Sequence, residues 1–224
     1  MKNMPYSHSR IETHTNCGAK YAFAYVHKVP VEKQETSPAV ERGLRLHNDI
    51  EAFFKDPTYV LSPELSFWGQ WLNSLRSNYE CTPEVEWALD LSWNPCAFSS
   101  PDAYIRGLYD LMVIDKSDPD TIYIKEWKTG KIYPEPHRNQ RKMYALGILC
   151  SNPEVKKVRV MSVYLDQEKH EEDIFTQSQI SMIKDELRTK TILMELESTW
   201  IPNPGWRCRF CDFAKGNGGP CKFG

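Results

Sequence analysis

The sequence predicts an α/β fold in which helices cover a small mixed sheet. The apolar pattern switches between helical steps of three and four and strict strand alternation. The order reads helices, three strands, helix, strand, helix. Two of the strands are apolar on both faces, as central strands are. The 224 residues, 41% of them apolar, fill one core and are short for two. One domain over 1–224 is therefore expected, its core running from about 38 to 200.

In chain order, Tyr21, Phe23 and Tyr25 sit at helical spacing between Thr15 and Val29, and Pro30 ends the segment. A polar loop, VEKQETSP, follows. From Pro38 to Phe54 a helix carries one stripe of Val40, Leu44, His47, Ile50 and Phe54. A second amphipathic helix is expected from Pro63 to Tyr79. From Glu84 to Trp93 the residues alternate, with Val85, Trp87, Leu89, Leu91 and Trp93 on one face, as in a half-buried strand. DKSDPDT, a cluster of turn formers, joins the strand Tyr104–Asp115 to one starting at Thr121. Centred on Asp118, this hairpin sets Asp115 opposite Thr121 and Asp110 opposite Glu126. A helix opened by Pro136 places Met143, Leu146, Gly147 and Cys150 inward. KKVRVMSVYLD then reads as a strand, and a long amphipathic helix runs from Gln177 to Trp200.

The seven Trp, eleven Tyr and nine Phe exclude a disordered chain. No N-terminal apolar run suits a signal peptide, and nothing approaches the roughly 18 apolar residues of a membrane span. A cytosolic protein without a membrane partner is expected. Seven cysteines in a reducing compartment then read as candidate metal ligands rather than disulfides. The net charge of -2 excludes a generally basic surface, so any phosphate-binding surface must be local. Lys125 to Lys142 carries six basic residues against two acidic ones. Trp206 to Gly224 carries Arg207, Arg209, Lys215 and Lys222 against Asp212, whereas Asp166 to Asp173 is acidic. Each run also has the composition of an ordinary solvated face.

The chemistry concentrates in IKEWKTGK, Ile124 to Lys131. Residues two apart on a strand share a face, so Glu126 and Lys128 point one way and Trp127 the other. With Asp110 opposite, two carboxylates would repel among apolar neighbours unless a lysine or an oxygen-ligated divalent cation relieved them. A solvated cross-strand cluster has the same spacing, and His47 in its apolar stripe could equally be a satisfied core histidine. In the tail, Cys208-x2-Cys211-x9-Cys221 places two thiolates on one turn and a third after a Gly-rich loop. A fourth ligand could be Cys17 or His14, and the metal a structural Zn2+ or an iron-sulfur centre.

In company, these pieces resemble the RecB-like branch of the PD-(D/E)xK nuclease superfamily. CGAKYAFAY, RGLRLH, RGLYDLMVID, YIKEWKTGK and QRKMY match its motifs in order. The resemblance implies a restriction-endonuclease-like core. It makes Asp110 and Glu126 metal ligands, together with the backbone carbonyl of Trp127 and with His47, and Lys128 the catalytic lysine. Mg2+ or Mn2+ would be the cofactor. Gln140 and Tyr144 would position the scissile phosphate, and Lys131, Arg138 and Arg141 lie in the basic stretch that would follow DNA. Tyr109 stands where the family usually has Pro, and Glu86 could correspond to an accessory acid. The resemblance extends to the iron-sulfur branch, similar to nucleases of CRISPR adaptation and of AddB type. There Cys17, Cys208, Cys211 and Cys221 would hold a 4Fe-4S cluster, and Cys17 with 201–224 would staple the chain ends. The implied function is a metal-dependent DNA nuclease, an exonuclease on linear DNA, single-stranded or with free ends, leaving 5′-phosphates. A non-catalytic DNA-binding scaffold that keeps the fold is the alternative.

Overall fold

The computed structural model describes residues 4–31 and 37–224. Most of the polar stretch VEKQETSP lies outside the described residues. The chain divides into two compact units, one of residues 1–5 and Ser37–Asp185, the other of Tyr6–Thr36 and Glu186–Gly224.

The first unit holds a five-stranded mixed sheet flanked by helices, in the order β1 (Glu80–Asp90), β2 (Ala103–Ile114), β3 (Thr121–Lys128), β4 (Lys157–Tyr164) and β5 (Lys169–Thr176). β1, β2 and β3 are antiparallel neighbours, β4 runs parallel to β3, and β5 returns antiparallel. The parallel step needs a crossover, supplied by the helix of Pro134–Ser151. The acidic stretch before Phe175 forms β5, where sequence alone suggested only a charged run. Its carboxylates are spoken for: Glu172 accepts from Arg159 Nε at 3.0 Å and Asp173 from Arg141 Nε at 2.7 Å.

Numbering helices along the chain, α1 is His8–Asn16, α2 Gly18–Tyr21, α3 Pro38–Lys55, α4 Ser66–Asn78, α5 Pro134–Ser151 and α6 Ile180–Leu196. Ser37 caps α3 by accepting from the Val40 N–H, and Pro38 takes the first turn, where its missing N–H costs nothing. Leu46, Ile50 and Phe53 of α3 pack with Leu65, Trp68, Leu72 and Leu75, and with Leu111, Val113 and Trp127 from the sheet. Trp127 thus points away from Glu126, as alternation requires. Val40 and Leu44, expected on the inner stripe, are exposed instead.

On α5's side, Trp87 stacks on Tyr109 with centroids 5.8 Å apart and lies against Gly147. A Cβ at Gly147 would sit 2.4 Å from the Tyr109 hydroxyl and 2.7 Å from the Trp87 ring. Overpacking of this kind costs about 1–3 kcal/mol. Gly147→Ala is therefore expected to lower Tm by about 2–12 °C in a thermal melt, at roughly 2–4 °C for each kcal/mol.

The second unit contains α1, α2, the π-helical turn Ala22–Val26, the end of α6 and the cysteine-rich tail. α1 lies in the polar N-terminal stretch, which sequence analysis left unassigned. Ser7 caps it, and Arg10 is buried against the rings of Tyr6, Tyr21 and Tyr25. Phe213 packs on Phe23 at 5.6 Å, so the tail docks on the N-terminal helical segment. No helix among the described residues is long and apolar enough to cross a membrane.

Candidate active site and cysteine cavity

The expected hairpin register is the one observed, with Leu111 opposite Lys125 through Ile114 opposite Ile122. Pairing stops before Asp110 and Glu126, where the two strands part. Across that gap Asp110 Oδ2 accepts the Trp127 N–H at 2.7 Å, so a side chain replaces the missing ladder bond. Burial first, then the charge of Glu126, holds the Asp110 carboxyl well above the usual carboxylate range. Tyr109 fixes the strand beside it from the other face, donating its hydroxyl to the Tyr144 carbonyl at 3.1 Å.

Glu126 is 6% exposed. Its Oε1 accepts from Lys128 Nζ at 3.0 Å and from Gln140 Nε2 at 2.8 Å. Its Oε2 is buried with no hydrogen-bond partner among the described residues. A buried carboxylate oxygen without a donor costs free energy unless something positive sits there.

His47 comes from α3, with Nδ1 3.6 Å from Asp110 Oδ2. Burial lowers its pKa, while the charge of Glu126 and a backbone hydrogen bond with Trp127 act the other way. α3 can approach because Gly43 has no side chain: a Cβ there would meet Thr129 Oγ1 at 2.9 Å. Four of the expected groups, Asp110, Glu126, His47 and the Trp127 backbone, therefore gather where the β2–β3 pairing ends, with Lys128 bonded to Glu126.

Gln140 and Tyr144 are also here, bonded to one another within the protein. Gln140 is buried, its Oε1 accepting from Lys128 Nζ at 2.7 Å and its amide nitrogen donating to Glu126 and to the Tyr144 hydroxyl at 2.9 Å. With both ends engaged inside the protein, Gln140 orients the lysine and the acid towards one another. Gln140→Leu is expected to lower the activity of the site, or its affinity for a divalent cation, by about 10- to 100-fold, as loss of a supporting partner typically does. Gln140→Glu should shift the pH profile of cleavage, because it sets a second carboxyl against Glu126. An unchanged profile in both variants would remove this role.

Of the basic residues expected on DNA, Lys131 and Arg138 are exposed. Arg141 is not: it is buried, bonded to Asp173, to Ser162 Oγ at 2.9 Å and to Glu171. It ties α5 to β4 and β5. The strand that supplies its acids, Glu171 and Asp173, lies 30 and 32 residues further along the sequence, a distance across which a charge count cannot pair them. Glu86, whose sequence position fits either an accessory acid or a solvated strand face, is exposed opposite Leu108. Glu84 is the acid near the site. It takes a left-handed φ of 53° between the pairs Pro83–Leu111 and Val85–Tyr109, opposite Asp110. Burial raises its pKa, and the charges of Glu51 and Glu126 add to that. Such a break in strand geometry leaves no mark in an alternating pattern.

In the second unit, Cys17, Cys208, Cys211 and Cys221 line one cavity with Lys20, Phe23 and Phe213. Backbone N–H groups point at the sulfurs: those of Lys20 and Asn203 lie 3.5 Å from Cys17 Sγ, and that of Gly205 lies 3.4 Å from Cys208 Sγ. His14 is turned elsewhere, onto Glu197 and edge-on to Tyr21 and Trp200. The cavity's open volume is about 20 Å³, and among the described residues no three His, Cys, Asp or Glu side chains are grouped to hold one metal ion as they stand.

The family model of the PD-(D/E)XK nuclease superfamily matches residues 5–215. The chain belongs to that superfamily. Its sheet and flanking helices are the restriction-endonuclease-like core of PD-(D/E)XK proteins. Among solved structures, the chain is similar to the "putative exonuclease" of Eubacterium rectale, at 10% identity and a TM-score of 0.51, covering 90% of this chain and 85% of that one. It is also similar to SSO0001, at 15% identity and a TM-score of 0.46, covering 93% and 83%. No curated protein matches the sequence. PD-(D/E)XK nucleases generally use divalent cations such as Mg2+ or Mn2+, and DNA is their substrate. The partnerless Glu126 Oε2, the Asp110 carboxylate beside it and the His47 imidazole suit such a cation in donor chemistry.

Proposed function

We propose that this PD-(D/E)XK protein is a metal-dependent deoxyribonuclease acting from DNA ends, with Asp110, Glu126, His47 and the Trp127 carbonyl as the cation's ligands and Lys128 as the catalytic lysine. The observation that carries the reading is the buried, partnerless Oε2 of Glu126 beside Asp110 and Lys128. A divalent cation held there would polarise the phosphodiester and make water a better nucleophile. The chain's own groups do the rest. Asp110 is oriented by the Trp127 N–H, and His47, its pKa lowered, offers a neutral ring nitrogen at neutral pH. The Lys128 ammonium, fixed by Glu126 and Gln140, places positive charge where the attacked phosphate gains negative charge, and orients the attacking water. Departure of the 3′-oxygen leaves a 5′-phosphate. Action from ends is supported by the resemblance to RecB-like nucleases and by the name of the Eubacterium rectale neighbour.

The scaffold alternative is disfavoured because both acids and the lysine are present, with Lys128 bonded to Glu126 and Asp110 oriented by the Trp127 N–H. The test is degradation of end-labelled linear and of circular DNA with Mg2+ or Mn2+. Loss of cleavage in Asp110→Ala and Lys128→Ala supports the reading, and undiminished cleavage in either refutes it.

We also infer that the four cysteines hold a 4Fe-4S cluster. Four thiols line one cavity with N–H donors turned towards sulfur, which is the environment thiolate-bound clusters use. A mononuclear Zn2+ would need four donors converging to about 2.3 Å from one point. Iron and zinc analysis with a visible spectrum of anaerobically purified protein tests this. Zinc without iron, or neither, would overturn it.

A further inference from the structure

The cysteine-rich tail exposes groups that neither the nuclease site nor the cysteine cavity uses. Trp206 is 53% and Phe210 67% exposed, on the short 3-10 turn Trp206–Phe210. Their rings stand edge to face with centroids 6.3 Å apart. The apolar anchor of the tail is Phe213, which is buried, so these two aromatics are not needed to hold it down. Arg207 lies 5.2 Å from the centre of the Trp206 ring and Arg209 5.6 Å from that of Phe210. Lys215 and Lys222 are exposed on the same tail. None of these four cations is in an ion pair among the described residues, and Asp212 is the one acidic residue from Trp206 to Gly224. The whole chain, by contrast, carries -2. A basic, aromatic ledge on an acidic protein needs a ligand that is anionic and has flat apolar faces.

We propose that this ledge binds unpaired DNA, with bases stacking on Trp206 and Phe210 and the backbone phosphates meeting Arg207, Arg209, Lys215 and Lys222. An aromatic ring accepts the face of any base, and interleaved arginines supply both phosphate contacts and cation–π support, which is how sequence-tolerant single-strand sites are built. Duplex DNA hides its base faces in the stack, so it engages only the cations. The ledge therefore prefers a single strand or a frayed end.

The choice of ligand rests on DNA being the substrate, but the test separates the two claims. Binding is measured by fluorescence anisotropy of a labelled oligothymidylate with the full chain carrying Asp110→Ala, so the probe is not consumed. Trp206→Ala and Phe210→Ala are each expected to weaken binding by about 5- to 150-fold. Arg207→Gln with Arg209→Gln should make the slope of log K against log salt shallower by about 1.4. Trp206→Phe and Phe210→Tyr, which keep a stacking face, should bind nearly as the parent does, and this distinguishes a binding role from a folding defect. Unchanged affinity in the Trp206→Ala/Phe210→Ala double variant overturns the proposal. So does equal, aromatic-dependent binding of a duplex, or aromatic-dependent binding of anionic phospholipid vesicles without binding of the oligonucleotide. A failure of the nuclease reading would appear instead as absent cleavage by the parent, whatever the tail binds.

Discussion

Glu126→Gln is expected to lower divalent-dependent cleavage of linear DNA by about three orders of magnitude while leaving the fold intact. The amide keeps an oxygen for Lys128 Nζ and Gln140 Nε2, so the bonds that Oε1 now accepts survive. What changes is the other position, where a partnerless buried oxygen becomes an N–H donor that repels a cation. Loss of charge and loss of a ligand fall on the same atom. Mn2+ affinity measured by calorimetry should drop with the rate, and melting in chelator should not fall. If Mn2+ bound the variant as tightly as the parent, Oε2 would not be a ligand, and the cation's place would have to be sought nearer Glu84 and Glu51.

The candidate site was legible to the extent that strand periodicity and a short turn determine geometry. DKSDPDT centred the hairpin, and continuing its register one step past the last pair sets Asp110 across from Glu126, where a side-chain bond to the Trp127 N–H takes over from the ladder. His47 was legible only through the resemblance, since its stripe was read as facing inward. Of that stripe Ile50 is buried but Val40 and Leu44 are exposed, and the core adds Leu46 and Phe53. A helix of this hydrophobicity offers two overlapping stripes, and the one that is buried is decided by the partner surface, here Trp127 and Leu111. Gln140 illustrates a second limit. A helical spacing of four correctly joined it to Tyr144, but whether an amide faces substrate or protein depends on which donors reach it. Arg141 and β5 failed together, for one reason: an acidic run and a basic run that look like separate solvated faces neutralise one another across the fold. Burying a charge is tolerable only with such a partner, and partners from distant segments are invisible in sequence.

The same electrostatics predicts a variant that is dead but more stable. Asp110 would ionise near about 3.9 in an unfolded chain. In the fold, burial and then the neighbouring Glu126 raise that value well above the ordinary range. Folding is thus favoured by the protonated acid: the stabilisation is complete below about 3.9 and is lost as pH rises through the raised folded value. Near neutral pH, metal-free protein bears a cost for holding two carboxylates where the β2–β3 pairing ends. Asp110→Asn removes the charge but keeps an oxygen to accept the Trp127 N–H. In chelator at pH 7 it should therefore melt above the parent, by roughly 2–4 °C for each kcal/mol of repulsion relieved. The gap should close as pH falls, because the parent then protonates the same carboxyl. Comparing variant with parent at each pH cancels the other titrating groups. Mn2+ at about 100 times its dissociation constant should add about 2.7 kcal/mol to the parent, and little to a variant lacking the ligand. The parent then regains in metal what the asparagine gains without it. A variant that melted below the parent in chelator at pH 7 would mean that Asp110 is not held at an electrostatic cost, and the case for a cation between it and Glu126 would lose its energetic basis.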